Sequence, residues 1–89
     1  MYISIIVPVY NENLILQKNL IQIFNFFQDQ FKFEIIVVND GSTDSCHETI
    51  KKMDLKNLKL INNKRNMGKG YSIINGIKNS SGDVVLITD

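Results

Sequence analysis

Ile35-Ile36-Val37-Val38-Asn39-Asp40-Gly41-Ser42-Thr43-Asp44 is the stretch that decides the fold. Four consecutive β-branched residues run straight into an acidic turn that contains a glycine. A continuous run of this kind fits a strand buried on both faces, as in a parallel sheet. The carboxylate and small polar residues at its end stand where open α/β sheets bind ligands. Two other stretches have the same form. Residues 3–7 run into Pro8-Val9-Tyr10-Asn11-Glu12, and residues 84–88 run into Asp89. Three strands that deliver polar residues to one edge predict a site for a polar ligand.

Outward from this stretch, strand and helix patterns alternate. Tyr2–Val9 reads as a strand. A helix begins at Glu12 or Asn13 and runs to about residue 28, with Leu16, Leu20, Ile23, Phe24 and Phe27 at a 3.6-residue period. Residues 33–38 read as the second strand. Ser42 or Thr43 can cap the next helix, and Asp44 in its first turn favours the positive end of the dipole. Cys46, Ile50 and Met53 mark its buried stripe. Residues 58–61 read as a short third strand and 62–66 as a polar loop. A third helix is expected over about 68–79, with Ile73, Ile74 and Ile77 turned inward. Gly82 is expected in a left-handed exit from it. The last strand covers 84–88. The pattern βαβαβαβ implies right-handed crossovers and a mostly parallel sheet flanked by helices.

Composition narrows the function classes. Eighty-nine residues make one domain, spanning 1–89, which buries only roughly 60–65% of its unfolded surface. Ten basic and nine acidic residues leave a net charge of +1. No overall field recruits nucleic acid or a membrane surface. Lys64 and Arg65, with Lys69 nearby, read as a solvated loop. The single cysteine, Cys46, excludes an intramolecular disulfide and suits a reducing compartment. No apolar run approaches the ~20 residues that span a bilayer. The N-terminal apolar stretch lacks the basic region of a signal peptide. A cytoplasmic location is therefore expected. The abrupt stop of a strand at Asp89 reads as a cut through a larger domain.

Individual residues carry different weight. Asp40, at the end of a buried strand, can accept N–H or O–H donors from a ligand, and a helix cap alone needs no carboxylate there. Gly41 lets the backbone turn sharply. Tyr10 can stack on a base or sugar; packing is the plainer reading of it. Glu12 suits a first helical turn as well as a ligand hydroxyl. Asn66-Met67-Gly68-Lys69-Gly70 fails both common nucleotide patterns. Ile73 stands where a dinucleotide fingerprint needs its third glycine, and Lys69 is followed by Gly70 where a P-loop needs Ser or Thr. Its backbone can still approach a phosphate, with Lys69 or Arg65 adding charge. His47 lacks a second ligand at metal spacing. Asp89 alone is not a metal site, and no nucleophile–base pair is evident.

Taken together, residues 4–12, residues 36–44, Asn66-Met67-Gly68-Lys69-Gly70, and Gly82-Asp83 through Asp89 resemble the N-terminal half of family 2 glycosyltransferases. The Gly-Lys-Gly variant is similar to polyprenyl- and dolichyl-phosphate sugar synthases and to bacterial cell-envelope enzymes. The resemblance implies a GT-A fold, truncated here after the fourth strand, and a UDP- or GDP-linked sugar as donor. By position, Pro8, Tyr10 and Glu12 would line the nucleoside pocket, and Asp40 would bind the base or ribose. Gly68 and Lys69 would lie near the nucleotide. Asp89 would match the first aspartate of the family's Asp-x-Asp motif and contact ribose or a Mg²⁺ or Mn²⁺ ion. Asn39 departs from the aspartate of many members. The implied mechanism is inverting transfer to an acceptor such as a polyprenyl phosphate or polysaccharide, at the inner face of the membrane in a full-length enzyme. The second aspartate and the catalytic base would come after Asp89. No catalytic residue is therefore expected within these residues, and the isolated chain is expected not to catalyse transfer.

Two other readings stand beside this one. A non-catalytic interaction module would use the unpaired sheet edge to recruit a further copy. A dinucleotide-dependent oxidoreductase domain is opposed by the misplaced glycines.

Overall fold

The computed structural model of the protein describes residues 1–42, 46–53 and 55–88, with side chains at all of these except 13, 14, 46 and 47. Its elements alternate in chain order: β1 (Tyr2–Val9), α1 (Asn13–Phe27), β2 (Lys32–Asn39), α2 (Cys46–Met53), β3 (Leu58–Asn62), α3 (Lys69–Lys78) and β4 (Val84–Ile87). The strands form one sheet in the order β3-β2-β1-β4, and every pairing is parallel. The expected layered α/β architecture is what forms, with β2 one residue longer at each end than the sequence pattern suggested.

The β-branched runs of β1 and β2 are continuous because both faces of these central strands are covered. On one face Ile3, Ile5, Val7, Val9, Phe33, Ile35 and Val37 pack against Leu16 and Leu20 of α1 and Ile50 of α2. Phe24 meets Phe33 edge-on, with ring centroids 5.8 Å apart. On the other face Ile6, Ile36 and Val38, joined by Ile61 and Val85, lie under α3. The α3 face of the sheet is polar at both strand ends. Ser4 and Glu34 stand at the amino end of the strands, and Asp40 and Asn63 follow the carboxyl ends of β2 and β3.

Helix α3 is phased differently from the expectation. Ser72 and Gly76 are its buried positions, while Ile74 and Ile77 are 56% and 42% exposed and Ile73 is only half-buried. The helix lies too close to the sheet for isoleucine at the contact line. A Cβ on Gly76 would stand 2.6 Å from Ile6 Cγ2. The exit after α3 differs too. Gly82 does not take a positive φ. Asn79 Nδ2 donates to Asn75 O and Ser80 Oγ to Ile77 O, closing the last turn with side chains. Gly82 is required for proximity instead: a Cβ there would meet Ser4 Oγ at 2.6 Å and Tyr2 O at 2.9 Å.

That proximity belongs to a buried polar cluster with no local sequence signature. Glu34 is 1% exposed. Its Oε2 accepts from the Ser4 hydroxyl at 2.6 Å and from Ser81 N–H at 2.7 Å, and Lys59 Nζ lies 2.9 Å from Oε1. Gly82 N–H in turn donates to Ser4 Oγ at 2.8 Å. Burial would raise the Glu34 carboxyl, but the Ser4, Ser81 and Lys59 donors outweigh it and hold it below its ordinary value. The cluster pins the α3–β4 connection to β1 and β2.

Candidate functional site

The chain winds from β1 outward to β3, then returns past β1 to form β4. Such a reversal opens a crevice at the carboxyl ends of the strands, the place where open α/β sheets bind ligands. A cleft of about 400 Å³ occurs there, lined by Pro8, Val9, Tyr10, Glu12, Asp40, Asn66, Gly68, Lys69 and Ser72. Its size falls within the range of small-molecule sites, roughly 300–1,000 Å³. Pro8, Tyr10, Glu12, Asp40, Gly68 and Lys69, the six donor-site residues named from sequence, all line it. Arg65 does not. Asp89, Thr43 and Asp44 lie outside the described residues.

Asp40 organises one wall. It is 5% exposed. Its Oδ1 accepts from Met67 N–H at 2.7 Å and from Asn63 Nδ2 at 2.8 Å, and its Oδ2 accepts from Gly68 N–H at 3.0 Å. The carboxylate thus clasps the β3–α3 connection to the end of β2. Burial would raise its pKa, but the Met67 N–H, Asn63 carboxamide, Gly68 N–H and Ser72 hydroxyl outweigh this and hold it below its ordinary value. It stays ionised at neutral pH inside the cleft. Gly41 makes the approach feasible. It sits at φ +71°, and a Cβ there would fall 2.4 Å from the Arg65 carbonyl carbon.

The opposite wall comes from the β1–α1 connection. Tyr10 is 42% exposed beside the cleft. Glu12 is the residue before the first turn of α1 and makes no side-chain cap; its Oε1 lies 3.4 Å from Tyr10 N. The cap expected of Ser42 or Thr43 involves residues outside the described ones; Ser42 Oγ accepts from Asn11 N–H at 3.0 Å. Its own N–H donates to Asn39 Oδ1 at 3.2 Å, and Asn39 Nδ2 donates to Asn62 Oδ1. These bonds brace three strand ends against one another. Asn39 fills that role as a neutral amide, both donor and acceptor.

The described residues do not supply a metal site by themselves, since no group of three or more His, Cys, Asp or Glu side chains comes together among them. Asp40 already accepts from Met67 N–H, Gly68 N–H and the Asn63 carboxamide, and Glu12 is the other carboxylate on the cleft. Sequence reasoning passed over Asn63, Ser72 and Asn66 as site residues. Asn63 carried a usable signal: like Asp40, it is the polar residue immediately after a parallel strand.

Residues 4–89 match the family model of glycosyl transferase family 2. The chain belongs to that family. A dolichyl-phosphate beta-glucosyltransferase of Trichomonas vaginalis is 36% identical over 96 residues, covering 99% of this chain and 30% of that protein. Among solved structures, S. aureus TarS 1-349 in complex with UDP-GlcNAc superposes with a TM-score of 0.87 at 32% identity, over 100% of this chain and 26% of that one. A mannosyltransferase from Pyrobaculum calidifontis, in complex with GDP-Man and Mn²⁺, gives a TM-score of 0.86 at 27% identity, over 98% of this chain and 26% of that one. The GT-A architecture implied by the motifs is the one present. The chain spans under a third of the length of each of these relatives.

Proposed function

We propose that the cleft binds the nucleoside diphosphate of a sugar donor, and that these residues form the donor-binding part of an inverting glycosyltransferase. The observation that carries this is the convergence of three separate motifs, around Tyr10, Asp40 and Gly68, on one cleft at the strand ends. The Tyr10 ring stacks on the base or ribose, and Asp40 and Glu12 accept from base or ribose donors. Lys69 and the N-terminus of α3 face the diphosphate, where helix N–H groups and a cation suit an anion. A Mg²⁺ or Mn²⁺ ion would need Asp89 and further ligands beyond the described residues. The acceptor is a polyprenyl phosphate or polysaccharide, and the complete enzyme works at the cytoplasmic face of a membrane. The dolichyl phosphate in the name of the Trichomonas vaginalis relative supports a polyprenyl-phosphate acceptor. No helix among the described residues is long and apolar enough to cross a membrane.

Calorimetric or NMR titration of the folded chain with UDP, GDP and NAD, with and without Mn²⁺, tests the proposal. Saturable binding of UDP or GDP, weakened at least about tenfold by Tyr10→Ala through lost stacking, is the expected result. A folded chain that binds neither overturns it, and tight NAD binding would revive the oxidoreductase reading.

A second reading draws on β4. This edge strand leaves Val84, Leu86 and Ile87 37–48% exposed, and an apolar edge of this kind recruits another strand. Concentration-dependent dimerisation without nucleotide affinity would favour association of copies over donor binding.

A further inference from the structure

A second hollow lies at the opposite edge of the sheet from the donor cleft. It measures about 460 Å³ and sits where β1, β2 and β3 begin, between the end of α1 and the α2–β3 connection. Its size matches that of the donor cleft and suits a small molecule. Tyr2, Phe24, Phe31 and Phe33 give it aromatic walls. Phe33 is 4% exposed, and its ring meets those of Phe24 and Phe27, each at a centroid distance of 5.8 Å. Phe31 rests on Phe27 at 5.7 Å and is still 41% exposed. An occupant would take this aromatic surface out of water, which favours binding.

The charged lining is of one sign. Lys32 and Lys56 line the hollow, and no carboxylate does. Neither lysine forms an ion pair among the described residues, whereas Lys59 is committed to Glu34. Asp83, on the same edge, accepts from Tyr2 N–H at 3.1 Å and does not line the hollow. Asn57 follows Lys56 at φ +63°, a left-handed turn that asparagine tolerates. Its carbonyl accepts from Ile35 N–H at 2.8 Å, which ties this connection to the sheet. Helix α1 ends at this edge, so its N–H groups offer nothing to a phosphate. A singly charged carboxylate is the match for two side-chain cations.

We propose that this hollow binds a small aromatic carboxylate, with its ring against Phe24 and Phe31 and its charge between Lys32 and Lys56. The site is separate from the donor cleft, and the proposal does not depend on what that cleft binds.

NMR titration of the folded chain with naphthoate at neutral pH, beside the neutral analogue naphthalenemethanol, tests this. Saturable shifts are expected at Phe31, Lys32, Lys56 and Asn57. The alcohol should bind at least about fivefold more weakly, for want of charge-assisted bonds. Lys32→Gln combined with Lys56→Gln, both at exposed positions, should weaken naphthoate by a similar factor. Lys32→Arg combined with Lys56→Arg should retain it. A folded chain with no saturable shift overturns the proposal. Equal affinities for naphthoate and the alcohol also overturn it, as does undiminished affinity in the glutamine double variant. Shifts confined to Tyr10, Asp40 and Gly68 would put the anion in the donor cleft and overturn it too. None of these results depends on nucleotide binding, so the two readings fail separately. If the glutamine double variant does not fold, the comparison of naphthoate with the alcohol decides the matter.

Discussion

Asn63 Nδ2 lies 2.8 Å from Asp40 Oδ1, joining residues 23 apart in sequence that each follow the last residue of a neighbouring parallel strand. The bond makes Asp40 part of the fold before any ligand arrives. Its carboxylate is held by two backbone N–H groups and one carboxamide, so its substitution affects the shape of the cleft together with its chemistry.

Asp40→Asn replaces one acceptor oxygen with an amide donor facing other donors. Loss of charge-assisted bonds to Met67 and Gly68 should lower stability by about 2–3 kcal/mol. Urea denaturation measures this directly. Stability equal to the parent chain would show that the clasp contributes nothing.

Stability should fall as acid is added. Asp40 and Glu34 both have folded-state pKa values below their ordinary 3.8 and 4.5. The unfolded chain therefore binds more protons in this window, so stability rises with pH. The contribution is complete above about pH 5 and is lost as pH drops through the lowered folded values. Thermal melts from neutral pH downward should show the decline, and Glu34→Gln should flatten part of it. A profile that stays level through this window would contradict the prediction.

Two glycines should respond in opposite directions. Gly41→Ala places a methyl group against the Arg65 and Asn66 backbone, at 2.4 and 2.5 Å, with φ at +71°. A cost of at least about 2 kcal/mol is expected from strain and overlap, together with displacement of the Asp40 clasp. Gly70→Ala meets nothing within 4 Å and should gain about 0.5–1 kcal/mol of helix propensity. Melting temperatures of the two variants give the comparison.

The phasing of α3 makes a further contrast. Ile74→Ser, at a position 56% exposed, should change stability by no more than about 0.5 kcal/mol. Leu20→Ala, at a position with no exposure, should cost about 2–5 kcal/mol. Chemical denaturation separates these. A large loss on Ile74→Ser would mean that an apolar partner covers this face in solution.

The element order was legible because β1, β2 and α1 announce themselves through local periodicity. A β-branched run such as 35–38 has few alternatives, and Leu16, Leu20 and Phe24 repeat at helical spacing. The cleft residues were legible because polar residues after parallel strands converge by topology. Helix α3 was misread because three isoleucines suggest an inward stripe, while the space available under the helix admits only Ser72 and Gly76. Nothing in the residues near Glu34 announces that Ser4, Ser81 and Lys59 would surround it.

The amino-acid sequence by itself determined the alternation of strands and helices, the parallel sheet, the family and six of the nine residues that line the cleft. These follow from short-range patterns and from the rule that parallel strands end together. Only the tertiary structure decided how Asp40 uses its oxygens, which face of α3 meets the sheet, and how the α3–β4 connection is held. Those outcomes depend on donors and volumes contributed by residues 23 to 78 positions away, and steric and hydrogen-bonding contacts of that range leave no mark on neighbouring sequence.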